Sequence, residues 1–417
     1  MADGILVINS GSTSVKFAIY NFAKDAPLTM EYRGQVKNLQ SKTQFEAFGP
    51  DHQPLDTHTW PENQPIDHTK ALLFIVRWLA HKADGVSIAA VGHRIVLGGD
   101  RYSGPVFIEG DVLDYLDGLS VMEPSHQPAN VTGARALEKA FEDLPQVACF
   151  DNSFHRSMPE VAQVYAVSSD LRQLGVRHWG YHGLSFEYIG SQIKHLIPTA
   201  RRVIIAHLGG GCSLCAMLDG NSIDTTMGFS GLSGLPMSTR SGDLPPEVLF
   251  YLLRRGYDAK SLEKTLYNES GLRGLSRLSG DMLELLGSSA PEATLAVNHF
   301  IYQVAKYTGA YIAVLGGLDA FVFTGGIGEN STAIRSAICR RLTPLGIELE
   351  ETANQQNQST ISSANSKISV WVVPTNEELM IAQHTLAVIQ SRGLLSLSLR
   401  SKDDSSEDGN NLSKSNG

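Results

Sequence analysis

Apolar and polar positions along the chain follow two periods, and the change from one to the other marks the elements. Near the start, ILVINSGSTSVKFAIY (residues 5–20) runs four apolar residues into Asn9, then a Gly/Ser/Thr cluster, then Lys16 and a second apolar run. The pattern predicts strand, tight turn and strand. Residues 21–65 are polar, dotted with proline and weakly periodic, which suits short strands and loops. TKALLFIVRWLAHKA (69–83) has helical spacing, SIAAVGHRIVLGGD returns to a strand with a glycine turn, VTGARALEKAFED is a second helix, and QVACFD is a further strand. That alternation predicts an α/β domain over roughly the first 150 residues.

A second unit follows. RRVIIAHLGGGCSLCAML (201–218) lies on the opening segment without a gap, placing Val203 on Ile5, His207 on Asn9, Gly209 on Gly11 and Ala216 on Ala18. A duplicated glycine hairpin, one per domain, could face a nucleotide from two sides of a cleft, although the Walker pattern G-x-x-x-x-G-K-[ST] is absent. Helical patterns at PEVLFYLLRRG and ATLAVNHFIYQVAKYTGAYIAVLGG precede the strands AFVFTGGIG and SVWVVPT. EELMIAQHTLAVIQS is a late helix able to pack back on the first domain. The expected division is residues 1–151 with 380–395, then 152–379, then a Ser/Asp/Asn-rich disordered tail over 396–417.

Composition narrows the function. A net charge of -9, without a Lys/Arg-rich stripe, excludes a nucleic-acid surface but leaves an anionic small molecule open, since that needs only a few local cations. The four cysteines are too few for a disulfide scaffold. Cys212 and Cys215 form a C-x-x-C without a second ligand pair, so packed strand thiols are the expectation. No basic leader and no apolar run of about 20 residues is present, so a cytoplasmic protein away from membranes is expected.

Five further segments carry chemistry: VGHRIVLGG (91–99), CFDNSFHRSMP (149–159), WGYHGLSFE (179–187), DTTMGFSGLSGLPMSTRSGD (224–243), and FTGGIGENS with PTNEELMIA beyond it. Together with the opening hairpin they resemble the acetate kinase family of short-chain carboxylic acid kinases, over about residues 4–390. The resemblance implies a duplicated RNase H-like α/β fold of two domains, of the acetate-and-sugar-kinase, Hsp70 and actin superfamily. It also implies ATP/ADP, Mg2+, acetate or another short carboxylate, and a homodimer formed through the second domain. Phosphoryl transfer needs charge stabilisation more than covalent help, and arginine's planar fork suits carboxylate and phosphate alike. By resemblance, Arg94 contacts the carboxylate and the transferring group, Arg240 stabilises its equatorial oxygens, and His182 donates to a phosphoryl oxygen. Asp151 matches the family's active-site acid; at the end of QVACF, in a polar turn, its carboxylate is expected to stay partly solvated. An acetate nucleophile is already ionised, so an orienting or metal-linked role suits Asp151 better than that of a base.

The same resemblance assigns Asn9 and Glu377 to the metal, and Lys16, His207, Leu208 and the Gly209, Gly210, Gly211 turn to the nucleotide phosphates. His126 also matches a histidine near the phosphates. Asp281, Met282 and Leu283, with Gly326, Ile327, Gly328, Glu329 and Asn330, correspond to the adenosine site, and Val96, Ser125 and Gly231 to the acyl pocket. Four positions depart from the family pattern. Ser125 stands where leucine is common and Gly231 where proline is, so either the pocket is larger or wetter and admits propionate or a similar acid, or neighbours fill the space. Leu283 replaces an arginine, which leaves ATP against GTP open, and Gly210 replaces an asparagine. The rivals are a propionate or butyrate kinase on the same scaffold, and a nucleotide-binding protein with an actin-like or Hsp70-like core and no acyl acceptor.

Overall fold

The computed structural model describes residues 2–394 apart from 12, 24–25, 40 and 83–85, so the tail expected at 396–417 lies outside the described residues. The chain divides into two compact units: Met1–Phe150 with Glu378–Gly417, and Asp151–Glu377. In the first, strands β1 (Ala2–Ser10), β2 (Ser14–Phe22), β3 (Thr29–Lys37), β4 (Gln44–Phe48), β5 (Pro54–Thr59), β6 (Val86–Ile95), β7 (Val106–Phe107) and β8 (Gln146–Phe150) form one sheet. Its order is β5-β4-β3-β2-β1-β6-β8-β7. The second unit holds β9 (Arg202–Leu208), β10 (Cys212–Leu218), β11 (Asn221–Thr225), β12 (Ala320–Thr324) and β13 (Ser369–Val372), in the order β11-β10-β9-β12-β13.

The two sheets repeat one plan. In each, three antiparallel strands joined in sequence are followed by two strands parallel to the first: β3-β2-β1 then β6 and β8, and β11-β10-β9 then β12 and β13. This is the duplicated RNase H-like α/β fold. Strands in such a sheet are covered on both faces and read as unbroken apolar runs, as Ile5–Ile8 and the wholly buried Ala320–Thr324 do. One face of the first sheet packs Leu6 and Ile8 against Leu72 and Ile75 of the helix His68–Lys82. The other receives the helix Glu377–Ser391 so closely that a methyl at Gly92 would strike Thr385 and Ile381. Beyond that helix, Arg392 grips Glu109 with two hydrogen bonds (2.6 and 2.9 Å) and lies 4.4 Å over the Phe107 ring.

One sequence expectation fails in detail. The closing pair of the first hairpin, Ser10 with Val15, encloses four residues, whereas Leu208 pairs with Cys212 and encloses three. The gapless overlay therefore holds along β1 and β9 and slips by one on the return strand, so Ala216 is not the counterpart of Ala18. A slip of one residue exchanges the faces of a strand, and turn length leaves no trace in an apolar pattern. Cys212 and Cys215 are buried in β10, where burial pushes both thiols up to about 12, far from reactive thiolates.

Two buried histidines link the fold to pH. His93 donates from its ring to Gln146 Oε1 (2.6 Å), and burial lowers its pKa to about 4. His155, between Ser222 Oγ (2.8 Å) and the Tyr181 carbonyl (3.0 Å), is lowered to about 3 for the same reason. Both stay neutral in the folded chain, while the unfolded chain protonates them as pH falls through the ordinary 6.5. The unfolded state then binds more protons, so stability falls below that pH, approaching about 1.4 kcal/mol per unit for each histidine. Urea melts at neutral pH and near pH 5, above the carboxylate range, are expected to show this loss, with a shallower dependence in His93→Gln.

Candidate active site

Ligands of open α/β sheets collect beyond the carboxyl ends of the parallel strands, and both sheets place candidate residues there. In the first unit, Asn9 near the end of β1 pairs with Lys16 on β2, and Arg94 sits one residue before the end of β6. Arg94 Nη1 donates to Asn9 Oδ1 at 3.3 Å, so cation and amide adjoin across neighbouring strands. The buried side chains of Gln127 and Asn130, on the helix Gln127–Ala140, fix these strand ends. Asn130 accepts from Val96 N (3.0 Å) and donates to the Ser10 carbonyl (2.6 Å), while Gln127 accepts from Leu97 N (3.2 Å) and donates to its carbonyl (2.9 Å). Val96 itself is buried, and Lys16 is exposed.

Ser125 and His126 immediately precede the same helix. Ser125 Oγ donates to Glu123 Oε1 and lies 2.6 Å from His126 Nδ1, which is 3.3 Å from that carboxylate. Glu123 is buried. The serine is thus held in a polar cluster, which favours the wetter of the two expectations for position 125.

Asp151 is the first residue beyond β8, and here the sequence expectation needs correction. Its side chain is buried, only 1% exposed, not partly solvated. Every residue of β8 is buried, and the chain turns directly into the short helix Ser153–Ser157. The first turn of the helix Gly183–Leu196 closes over the Asp151 carbonyl, so tightly that a Cβ at Gly183 would collide with that oxygen. His182, just before this helix, has a left-handed backbone (φ 59°), a conformation that costs a non-glycine residue energy and gathers at functional sites. Its Nδ1 is 2.8 Å from Ser213 Oγ on β10, and its ring stacks on His207 with centroids 4.4 Å apart.

His207 lies near the end of β9, opposite Thr324 of β12, and leads through Leu208 into the Gly209–Gly211 turn. Its Nδ1 is 2.8 Å from Ser185 Oγ, which is 2.8 Å from Thr375 Oγ1. The Gly210 carbonyl accepts from Ser238 N (3.2 Å). Arg240 donates from Nη1 to the carbonyl of buried Gly231 (2.9 Å). The loop holding both is braced by Asp243, which accepts from Gly234 N (2.7 Å) and from the Tyr307 hydroxyl.

After β12, residues Gly325–Asn330 form a turn of helix. Two expected nucleotide residues hold this turn together. Glu329 Oε1 accepts from Gly325 N (2.9 Å) and Thr375 N (3.1 Å), and Asn330 Nδ2 donates to the Gly326 carbonyl (2.9 Å). Gly326 is exposed, Ile327 partly exposed and Gly328 buried. Asp281 similarly caps its own short helix, accepting from Leu283 N (2.9 Å) and Glu284 N (3.0 Å). Met282 is buried beside it, and Leu283 is 81% exposed.

Sequence reasoning missed the supporting residues Glu123, Gln127, Asn130, Ser185, Ser213 and Arg335. Only Arg335 left a signal, as a charge on the apolar stripe Ile334, Ile338, Leu342 of the helix Thr332–Leu342. Glu377, which opens the helix Glu377–Ser391, offers a carboxylate, and Asn9 an amide oxygen; both are hard donors suited to Mg2+. No group of three His, Cys, Asp or Glu side chains able to hold a metal occurs among the described residues.

The chain is similar to known proteins over nearly its whole length. The acetokinase family model matches residues 4–383. An acetate kinase of Nitrobacter hamburgensis is 44% identical over 393 residues, covering 94% of this chain and 97% of its own. A propionate kinase structure from Francisella tularensis superposes with a TM-score of 0.85 at 35% identity, over 92% of this chain and 99% of that one. An acetate kinase structure from Porphyromonas gingivalis gives 0.82 at 34% identity, over 93% and 100%. The chain belongs to the acetokinase family.

Proposed function

We propose that this protein transfers the γ-phosphoryl group of ATP to acetate, giving acetyl phosphate and ADP, and also catalyses the reverse. The observation that carries the reading is the family match over residues 4–383. A carboxylate oxygen attacks the γ-phosphorus, the bond to the bridging oxygen breaks, and ADP leaves with that electron pair. No proton moves, because acetate is ionised at neutral pH. Arg94 and Arg240 balance the charge spread over the transferring oxygens, and His182 donates to one of them, its ring oriented by Ser213. Asp151 orients the reacting groups. Asn9 and Glu377 would hold Mg2+, which when bound with the nucleotide would neutralise phosphate charge. Lys16, His207 and the Gly209–Gly211 turn meet the phosphates, and the 281–283 and 326–330 segments meet the nucleoside.

The test is a panel in which Mg-ATP is given acetate, propionate, butyrate or no acid, and acyl phosphate is trapped with hydroxylamine. Acetate is expected to give the highest kcat/KM; hydroxamate from none of them would overturn the reading. Because the hydroxyl of Ser125 is tied to Glu123, Ser125→Leu is expected to restore an apolar wall and shift preference toward the smallest acid, by about tenfold for one methylene. Equal specificity constants in variant and parent would place position 125 outside the acyl pocket. A homodimer in the cytoplasm completes the proposal. Its support is the helix Pro246–Arg254, which buries none of its residues and exposes Leu249, Phe250, Tyr251 and Leu253. Light scattering at twice the monomer mass is the expected result.

A further inference from the structure

Among the described residues Arg335 heads the large side chains that are fully buried, with 0% of its surface exposed. A guanidinium carries five N–H donors, and all five are matched. Nε donates to Asn354 Oδ1 (2.8 Å), Nη1 to the carbonyls of Gly328 (2.9 Å) and Glu329 (2.8 Å), and Nη2 to the Asn354 carbonyl (3.1 Å) and Asn357 Oδ1 (2.8 Å). Every acceptor is a neutral amide oxygen; among the described residues no carboxylate pairs with it. Burying a cation without a counter-charge is costly, and burial pulls its pKa down accordingly. An arrangement kept at that cost needs a reason beyond packing, since an apolar side chain would fill the space more cheaply.

The acceptors supply it. Gly328 and Glu329 belong to the helical turn after β12, and Glu329 in turn holds Gly325 N and Thr375 N. The fork thus clamps two successive carbonyls of that turn from below, and ties them to the Asn354–Asn357 segment. Lysine could not reproduce this, having three donors on one atom and no plane.

We infer that Arg335 is a positioning residue for the nucleotide, acting through the backbone of Gly326–Asn330. The inference rests on the proposal that this turn meets the nucleoside, and it concerns geometry, not charge. Two substitutions separate these. Arg335→Lys keeps the charge and breaks the fork. Asn357→Asp keeps an acceptor for Nη2 and adds the missing counter-charge, at an exposed residue whose left-handed backbone (φ 54°) aspartate tolerates.

The experiment measures binding of a fluorescent ADP analogue to the full chain, together with KM for ATP and for the acid. Arg335→Lys is expected to weaken ADP binding and raise KM for ATP about tenfold, while KM for the acid and kcat at saturating ATP stay within about twofold. Asn357→Asp is expected to bind like the parent. A folded Arg335→Lys variant with unchanged ADP affinity would overturn the inference, leaving Arg335 a stabilising residue only. So would an Asn357→Asp variant that weakens binding as much as Arg335→Lys, because charge would then be the cause. Should Arg335→Lys fail to fold, Asn357→Gly removes one acceptor without backbone strain; about threefold weaker binding is expected, and none would overturn it. A parent that binds ADP but phosphorylates no acid would sink the kinase reading and leave this inference standing.

Discussion

Arg94→Ala is expected to lower kcat for acyl phosphate formation about a thousandfold, the scale on which a single arginine acts in phosphoryl transfer. The side chain is positioned for this by its strand and by Asn9, whose amide oxygen accepts its Nη1 proton. Removing it takes away the charge proposed to face the transferring oxygens and one of the groups that orient Asn9. Arg94→Lys is expected to recover only a small part, since an ammonium retains charge but loses the bidentate plane that fits carboxylate and phosphoryl oxygens. The loss should appear in kcat as well as in KM, because the interaction strengthens as charge redistributes in the transition state. Stability should change little, for the side chain lies at a strand end. Hydroxamate assays with saturating acid and ATP measure the first effect, and thermal melts the second. A folded Arg94→Ala variant within tenfold of the parent would remove Arg94 from the reacting groups and undermine the proposed mechanism.

How far such residues could be read from sequence depends on what kind of signal they leave. Arg94 was legible because an apolar run, a charge and a glycine pair occur in order, and a strand must end there. The two glycine hairpins were legible for the same reason. Their relative register was not, because one residue more or less in a turn changes no apolar position. The helices Gly183–Leu196 and Thr332–Leu342 were passed over. The first opens on glycine and serine and has Gly190 within it, so its local propensity is poor and its packing on β9 and β10 decides its state. The second carries Arg335 on its buried stripe, which spoils the apolar period it would otherwise show. Asp151 was placed correctly at a strand end but in the wrong medium. The helix that begins 32 residues later closes on its backbone carbonyl, a long-range contact that local polarity cannot register. Glu329 and Asn330, assigned to the nucleoside through their motif, also hold that turn together through their own side chains, a contact the sequence pattern does not carry.

That same closure over Asp151 gives the other large effect. Gly183→Ala is expected to reduce kcat at least a hundredfold, although the added group is one methyl on a residue with no part of its own in the proposed chemistry. Its Cβ would run into the Asp151 carbonyl oxygen and also press on the Phe154 side chain at 3.0 Å. A backbone carbonyl cannot rotate away like the end of a side chain, so either the start of the helix or the strand end beyond β8 must move. The first carries His182, held in its left-handed conformation, and the second carries Asp151. Whichever yields, a residue with a proposed part in the reaction is displaced, and displacements near 1 Å cost about two orders of magnitude in rate. Overpacking should also lower stability by about 1–3 kcal/mol. Gly190→Ala, on the same helix, provides the comparison: its Cβ would meet the Met217 side chain, Sδ at 3.2 Å and Cε at 3.8 Å, and a methionine side chain can shift to admit it. Equal stability losses with a rate defect confined to Gly183→Ala would tie the defect to the Asp151–His182 geometry. A Gly183→Ala enzyme with the parent's kcat would mean that neither residue needs its observed place, and the orienting role given to Asp151 would have to be withdrawn.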